Sequence, residues 1–415
     1  MSARSGARLA LGLLFAVNLL NYVDRYVIAA LVEPIKGEFG LSDTQLGFLP
    51  FAFLLIYTAA SPLVGLAADR APRKGIMAGG VALWSLATAA AAGAWSYASL
   101  FATRALVGVG EATFGTIGPA WISDLVPRDR RARALMVFYV ATPVGAALGY
   151  LMGGVVGARW GWREAFLVAG LPGLVLAAAL LALREPARGA TEPQGAATRP
   201  AVRDDYVALV KTPSYLVNVA GSTLYTFAIG GLSYWMPAFL TRVHDVPLAQ
   251  AGFVMGAIVA AAGLVGVVAG GWLGDLLFAR TPTGHFLVSG WGMVLGMPFA
   301  ILAFLSPSLP VVYGATFAAV VLLFLNTGPL NAVLVNVTRP EVRATAIALH
   351  IFVIHALGDI VSPPLIGWIS DLSDLRRAVL VTTPVAMAAG GVVILAGTRV
   401  LAADLARLAG PGRQV

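Results

Sequence analysis

Long apolar runs dominate the chain and limit what it can fold into. Twelve runs can be counted, at 9–31, 45–68, 75–94, 98–123, 132–157, 164–183, 214–240, 248–278, 285–305, 310–336, 344–369 and 377–400. A membrane-spanning helix needs about 20 apolar residues, and each run reaches that length. Charged residues are only 12% of the chain, against roughly 25% in soluble domains. The sequence therefore predicts an all-α membrane protein with 12 transmembrane helices.

A single long polar stretch divides six runs from six. Residues 184–213 are rich in Pro, Gly, Ala, Thr and Arg, a composition typical of a linker. We expect a cytoplasmic linker here, with a short surface helix near Asp204 to Lys211. The predicted domains are a six-helix bundle at 1–183, the linker at 184–213 and a second six-helix bundle at 214–415.

Short motifs recur in the two halves in the same order. The pairs are Gly65-x-x-x-Asp69 with Gly271-x-x-x-Asp275, Gly118-Pro119 with Gly328-Pro329, and Arg131-Ala132-Arg133-Ala134 with Arg343-Ala344-Thr345-Ala346. Their offsets of 206, 210 and 212 residues drift slowly, as small loop insertions would cause. Internal repeats of this kind are typical of secondary transporters. The two bundles are therefore predicted to be pseudo-symmetric.

Lysine and arginine predict the orientation in the membrane. With the N-terminus inside, 20 of these residues fall in cytoplasmic segments, 6 in outer loops and 2 within spans. Cytoplasmic loops carry the excess of basic residues in membrane proteins. We expect a multi-pass protein of the cell inner membrane with both termini cytoplasmic. The apolar run after Arg8 is interpreted as the first span, retained in the mature protein, because no small-residue cleavage pattern follows it.

Composition also argues against several classes of protein. The chain has no cysteine, and its 4 histidines form no metal-ligand spacing, so no metal and no cofactor are expected. The net charge of +8 comes from loops beside apolar runs, so it indicates topology rather than nucleic-acid binding. No nucleotide-binding P-loop motif occurs, which argues against a primary pump.

The span count, the linker and the loop Gly65-x-x-x-Asp69-Arg70-x-x-Arg73-Lys74 resemble the major facilitator superfamily. Within it, four stretches resemble the spinster family: Asn21-Tyr22-Val23-Asp24-Arg25, Arg104-x3-Gly108-x-Gly110-Glu111-Ala112, Pro143-x-Gly145-x3-Gly149-Tyr150 and His355-x2-Gly358-Asp359-x2-Ser362-Pro363. The resemblance covers nearly the whole chain and implies an exporter of lysophospholipids or sphingosine-1-phosphate. One departure is Pro72, where the superfamily loop commonly has glycine, and it makes this loop stiffer.

Charged residues at bilayer depth are the first candidates for function, because a charge there costs several kcal/mol. Asp24 and Glu111 are predicted to carry protons, since a carboxyl group shielded from water can titrate near neutral pH. Arg25 and Arg104 are predicted to hold an anionic headgroup, because guanidinium binds phosphate through two donors. Asp24 and Arg25 lie about 100° apart on a helix, so we expect them to have different partners. The alternative is a permanent buried ion-pair network.

Further polar and aromatic residues are predicted to contact the substrate. Asn21 and Tyr22 belong to a polar stripe with i, i+3, i+4 and i+7 spacing that includes Arg25. Tyr57 faces them in this interpretation, and Tyr225, Asn326 and Asn331 form a mostly apolar wall in the second half. A cavity with one charged wall and one apolar wall suits an amphiphile. The alternative for each aromatic residue is plain packing or an interfacial anchor.

A third group of residues is predicted to act in gating: Asp69, Arg70, Arg73, Asp275, His355 and Asp359. The resemblance implies that Asp69 grips the neighbouring half at a helix N-terminus. Helix capping, with charge balance from Arg70, is the alternative. His355 and Asp359 form an i, i+4 pair that could instead serve packing.

These observations favour a proton-coupled secondary transporter, not an enzyme, that moves a lysophospholipid-like amphiphile by alternating access. Its expected partners are the lipid-like substrate, protons and membrane lipid, and it is expected to be a monomer. Three alternatives stay open: a facilitator for a small organic anion or drug, a polytopic membrane enzyme, and a channel. The acids and histidines do not converge as an enzyme would need, and nothing resembles a selectivity filter.

Overall fold

The computed structural model describes residues 3–187, 203–339 and 342–409, and these residues are helical almost throughout. In chain order the helices are α1 (Ala3–Ala30), α2 (Val32–Phe39), α3 (Asp43–Arg70), α4 (Arg73–Ala91), α5 (Tyr97–Leu125), α6 (Arg128–Arg159), α7 (Trp162–Ala182), α8 (Arg203–Val210), α9 (Pro213–His244), α10 (Leu248–Phe278), α11 (Gly284–Leu305), α12 (Leu309–Phe324), α13 (Thr327–Asn336), α14 (Arg343–Ile354), α15 (Ser362–Leu372) and α16 (Leu375–Ala409). A π-helical turn, His355–Asp359, joins α14 to α15. The all-helical prediction is confirmed for the described residues.

Ten helical segments of the described chain are long and apolar enough to cross a membrane. Two of them combine shorter pieces: Leu309–Asn336 holds α12 and α13, and Thr345–Leu372 holds α14, the π-helical turn and α15. The two other predicted spans are also helices, α4 with 19 residues and α5 with 29. The chain is a multi-pass membrane protein, and its count of twelve spans stays a prediction.

Local sequence explains where several helices begin and end. Ser42 caps α3: its hydroxyl accepts from the Gln45 amide, and the Gln45 side chain accepts from the Ser42 amide in return. Ser96 and Ser99 make the same reciprocal pair at the start of α5. Helix α2 was not predicted from the sequence. It ends at Phe39 and is capped by Gly40, whose φ of 61° favours glycine.

The chain divides into two compact units. Unit 1 comprises Met1–Gly195 together with Met236–Ala260, and unit 2 comprises Ala196–Trp235 together with Ala261–Val415. Trp84, Phe114 and Trp121 are among the largest side chains in the core of unit 1. Tyr215 and Phe286 serve the same purpose in unit 2. The predicted boundaries at 183 and 214 and the six-plus-six arrangement stay predictions, and half of the predicted linker, residues 188–202, lies outside the described residues.

Glycines bring α6 into backbone contact with α1. Gly145, Gly149 and Gly153 lie four residues apart on one face of α6, where a Cβ atom would lie 2.6, 2.6 and 2.7 Å from carbonyl oxygens of α1. Small residues at this spacing allow membrane helices to approach closely. The contact fixes α1, which carries Asp24 and Arg25, against its neighbour.

We expect Gly149→Ala to destabilise the protein by about 1–3 kcal/mol, because the new methyl group would overlap the Val23 carbonyl oxygen and the helices would have to separate. The measurement is thermal unfolding of purified protein in detergent. Gly79→Ala is the matched control, since a Cβ there meets nothing within 4 Å. Equal melting temperatures for the two variants would contradict the close-contact interpretation.

Candidate functional site

Asp24 of α1 is held by two other helices of unit 1. Thr88 of α4 donates its hydroxyl hydrogen to Asp24 Oδ2, and Arg104 of α5 donates through Nη1 to Asp24 Oδ1 at 3.3 Å. The side chains of Asp24 and Arg104 are each only 1% exposed. A buried carboxylate needs such partners, because an unpaired charge away from water is costly. Thr88 was missed by the sequence analysis, since a threonine in an apolar helix gives no distinctive signal.

The neighbouring residue, Arg25, has a different partner. Arg25 Nε donates to Glu111 Oε2 of α5 at 2.6 Å, and Glu111 is fully buried while Arg25 is 18% exposed. The guanidinium carbon also lies 5.1, 5.1 and 4.8 Å from the ring centroids of Tyr22, Phe53 and Tyr57. Aromatic faces attract a cation at these distances. The prediction of separate partners for Asp24 and Arg25 agrees with this geometry.

The four charges make two ion pairs with balanced charge, yet some polar atoms of the site have no partner. Among the described residues, Glu111 Oε1, Arg104 Nε and Asn21 Nδ2 are buried without a hydrogen-bond partner. A permanent structural network would be expected to satisfy such atoms more completely. The site therefore has the pairing of a structural network together with spare hydrogen-bonding capacity.

Close helix packing sets the position of the two α5 residues. A Cβ atom at Gly108 would lie 2.5 Å from the Phe53 carbonyl oxygen of α3. At Gly110 it would lie 2.6 Å from the Gly80 carbonyl oxygen of α4. These glycines let α5 touch both helices between Arg104 and Glu111, so the charged groups of α5 stay within reach of α1.

A second cluster lies where α3 passes into α4. Arg73 is 7% exposed, and its Nη1 donates to Asp124 at 2.7 Å. The carboxylate of Glu185 accepts from the backbone amides of Arg73 and Lys74, at 3.0 and 3.2 Å, so it caps the start of α4. The sequence analysis missed Asp124 and Glu185, because their partners are distant in sequence.

The predicted gating residue Asp69 lies beside this cluster. It is exposed and lines a cavity of about 440 Å³ with Arg73 and Asp124. Arg70 is exposed as well. The structure thus brings Asp69 and Arg73 together, and the role of these residues stays a prediction.

At the opposite ends of the unit 1 helices, Arg242 forms a cluster of acids and bases. Arg242 donates to both carboxylate oxygens of Asp43, at 2.6 and 3.0 Å, and to Glu33 at 2.6 Å. Lys36 also donates to Asp43 at 2.6 Å. Arg242 and Lys36 are two of the 6 basic residues that the sequence analysis counted in the outer loops, and it assigned them no further role. Asp43 is 3% exposed, so this cluster joins α2, α3 and the end of α9 tightly.

Glu38, close by, is more exposed and pairs with α7. It accepts from Arg163 Nη1 and from Trp162 Nε1, both at 2.6 Å. The hydrogen bond from Arg163, followed by that from Trp162, lowers the pKa of the Glu38 carboxyl group from its usual value. This carboxylate is therefore charged at neutral pH and anchors the start of α7.

The predicted site residues of the second half lie in unit 2. His355 Nδ1 lies 2.9 Å from Asp359 Oδ1, so the predicted i, i+4 pair is formed within the π-helical turn. Asn326 is buried and donates to the Leu323 carbonyl oxygen at 2.7 Å. Asn331 is exposed and bonds to Thr327 of its own helix. Tyr225 packs against the core, and Asp275 is exposed at the end of α10.

Comparison with known families and proteins agrees with this architecture. Residues 14–363 match the Major Facilitator Superfamily. "Protein spinster homolog 1" of Xenopus tropicalis is 38% identical over 389 residues, which cover 88% of this chain and 73% of the relative. "Protein spinster" of Drosophila melanogaster is 34% identical over 366 residues, covering 86% of this chain and 60% of the relative.

The fold also resembles the crystal structure of a bacterial homolog to the human lysosomal transporter spinster, described as inward-facing and unoccupied. The TM-score is 0.83 at 24% identity, over 96% of this chain and 97% of the other. The matched superfamily and fold make this protein a major facilitator transporter. Within the superfamily, the chain belongs to the spinster family.

We expect Thr88→Val to destabilise the protein by about 1.5–3 kcal/mol, because it removes a hydrogen bond to a buried carboxylate at nearly constant volume. The measurement is thermal unfolding in detergent. Ser85→Ala, one turn away on α4, is the control: it also removes a buried hydroxyl, and Ser85 Oγ has no partner among the described residues. A smaller loss for Thr88→Val than for Ser85→Ala would count against this role.

Proposed function

We propose that this protein is a proton-coupled secondary transporter that moves a lysophospholipid-like amphiphile by alternating access. The observation that carries the proposal is the Arg25–Glu111 pair. One partly exposed guanidinium bonds a fully buried carboxylate at 2.6 Å, while the second oxygen of that carboxylate has no partner among the described residues. The pair therefore offers both a proton acceptor and an anion-binding group.

The coupling step follows from the competition for Arg25. When Glu111 is ionised, it neutralises Arg25 and keeps other anions away. When Glu111 takes up a proton, Arg25 loses its counterion and binds the phosphate of a substrate headgroup, for which guanidinium geometry is suited. Proton and anionic substrate then favour each other's binding, and this linkage is reciprocal. Asp24 and Arg104 form the second, more deeply buried pair and are proposed to share the two roles.

The remaining substrate contacts are assigned by side-chain chemistry. Tyr22 and Tyr57 surround Arg25 with aromatic faces, and they would contact the part of the amphiphile next to its headgroup. Asn21 has a buried amide nitrogen without a partner among the described residues, which is available to a headgroup oxygen. For unit 2, Tyr225, Asn326 and Asn331 are proposed as further substrate contacts.

The gating role is proposed for the same residues that the sequence indicated. Asp69 beside Arg73 is the candidate latch, Arg70 is its neighbour in the chain, and Asp275 is the residue that corresponds to Asp69 in the repeat. His355 and Asp359 are proposed to act through the π-helical turn, because such turns are frequent at functional sites. A helix-capping role for Asp69 is the competing explanation. The proposal further places the chain as a monomer in the inner membrane with both termini in the cytoplasm.

A small organic anion is the second candidate substrate. Arg25 already binds the carboxylate of Glu111 in a short hydrogen bond. Its guanidinium group can therefore bind a carboxylate as well as a phosphate. The two candidates differ in the tail that must be accommodated, so a binding comparison separates them.

For proton coupling, we expect Glu111→Gln to abolish accumulation driven by a pH gradient in proteoliposomes while exchange without a gradient persists. The amide does not titrate, so no proton is carried. In the same variant, binding of lysophosphatidylglycerol should no longer tighten as the pH falls. Glu38→Gln is the control, because Glu38 is an exposed acid 73 residues before Glu111 in the sequence. This variant should keep both the accumulation driven by the pH gradient and the pH dependence of binding. Full pH-driven accumulation by Glu111→Gln would refute the proton role.

For substrate binding, we expect Arg25→Lys to weaken the binding of lysophosphatidylglycerol about tenfold or more, because an ammonium group loses the two-pronged contact with phosphate. Binding is measured by isothermal titration with purified protein, and succinate is titrated in parallel as the small-anion probe. Arg163→Lys, which leaves an exposed pair with Glu38, is the matched control. If succinate binds more tightly than the lysolipid, the small-anion function replaces the lipid one.

A further inference from the structure

A cavity of about 260 Å³ with several charged lining residues lies within unit 2. It is formed where α8, the residues before α9, the end of α13 and the end of α16 meet. Its polar and charged lining residues are Lys211, Thr212, Thr338, Arg339, Asp404 and Arg407. The proposed transport cycle uses none of them.

The cavity carries an excess of positive charge. Three of its lining residues are basic, Lys211, Arg339 and Arg407, and one is acidic, Asp404. Asp404 is only 2% exposed and accepts from the Ser214 amide at 2.9 Å and from the Ser214 hydroxyl at 2.7 Å. It also lies 3.3 Å from Arg407 Nη1. Asp404 is thus held by Ser214 and Arg407, and the basic residues of the lining outnumber this one acid, which favours an anion over a cation.

The neutral polar groups of the cavity do not offer donors to a ligand. The Thr212 hydroxyl donates to the Ala208 carbonyl oxygen at 2.8 Å, and the Thr338 hydroxyl donates to that of Leu334 at 2.6 Å. Both bonds lie within one helical turn. Recognition therefore falls to the ammonium and guanidinium groups, which suit an oxyanion such as phosphate.

The cavity lies where three candidate membrane spans have their ends, which is where lipid headgroups are expected. One candidate span begins at Pro213, a second ends at Asn336 and a third ends at Arg407, so three spans have their ends at this place. On α8, Val207 and Val210 are 37% and 47% exposed. These apolar side chains next to a basic cavity are typical of a segment that lies in the interface, with apolar groups toward the acyl chains.

We propose that this cavity binds the phosphate headgroup of an anionic phospholipid of the surrounding bilayer. Basic pockets between membrane helices bind such headgroups. The volume lies just below the range of about 300–1,000 Å³ for drug-sized ligands, so it suits a headgroup whose acyl chains stay outside along α8. A bound lipid would then join α8 to the ends of α13 and α16.

The test is titration of the full-length protein with phosphatidylglycerol in detergent, with bound lipid measured by native mass spectrometry. Lys211→Ala with Arg407→Ala should weaken binding about fivefold for each residue, as expected for basic groups near a membrane surface. Arg280→Ala is the matched control. It removes an exposed basic residue just after α10, outside the cavity lining, and should leave binding unchanged.

Two further titrations distinguish the source of the phosphate. Phosphatidylcholine should bind more weakly than phosphatidylglycerol, and inorganic phosphate should fail to displace the lipid at equal concentration. Equal binding of both lipids, or equal affinity of the double variant and the wild type, would overturn the site. Binding of inorganic phosphate without binding of phosphatidylglycerol would overturn the assignment to a lipid.

Discussion

A charge buried among apolar helices must keep a counter-charge, and this requirement organises unit 1. Asp24 and Arg104 satisfy each other with help from Thr88, while Arg25 and Glu111 form the more accessible pair. Removing one partner from such a pair costs about 3–5 kcal/mol. The two pairs therefore keep α1 and α5 together, because separating them would leave buried charges uncompensated. If one member of a pair changes its protonation state or binds a ligand, the attachment between α1 and α5 therefore changes as well.

Much of the architecture could be predicted from the sequence, because lipid imposes simple rules. Apolar length predicted the helices, and adjacent positions on one helix predicted that Asp24 and Arg25 point to different partners. Arg104 and Glu111 lie two turns apart, and so on one face of α5, and both meet charges of α1. Such predictions succeed because they depend on helix geometry and on the cost of buried charge, which sequence alone reveals.

The residues that the sequence analysis missed were missed for a common reason. Thr88, Asp124 and Glu185 acquire their importance from partners far away in the sequence. The same is true of Asp43, which lies at a helix start and pairs with Arg242 almost two hundred residues later. Periodicity and spacing describe one helix at a time, so they do not identify which helices adjoin. The two compact units follow contacts rather than chain order, since Met236–Ala260 groups with unit 1.

The π-helical turn His355–Asp359 gives the segment from α14 to α15 an additional property. A π turn holds an extra residue that an α-helix would not accommodate. If the extra residue migrates by one position, the side chain that it passes swings by about 100° around the axis, while the helix ends stay in place. This segment can therefore exchange the groups it presents by a local slip, without unwinding and without tilting.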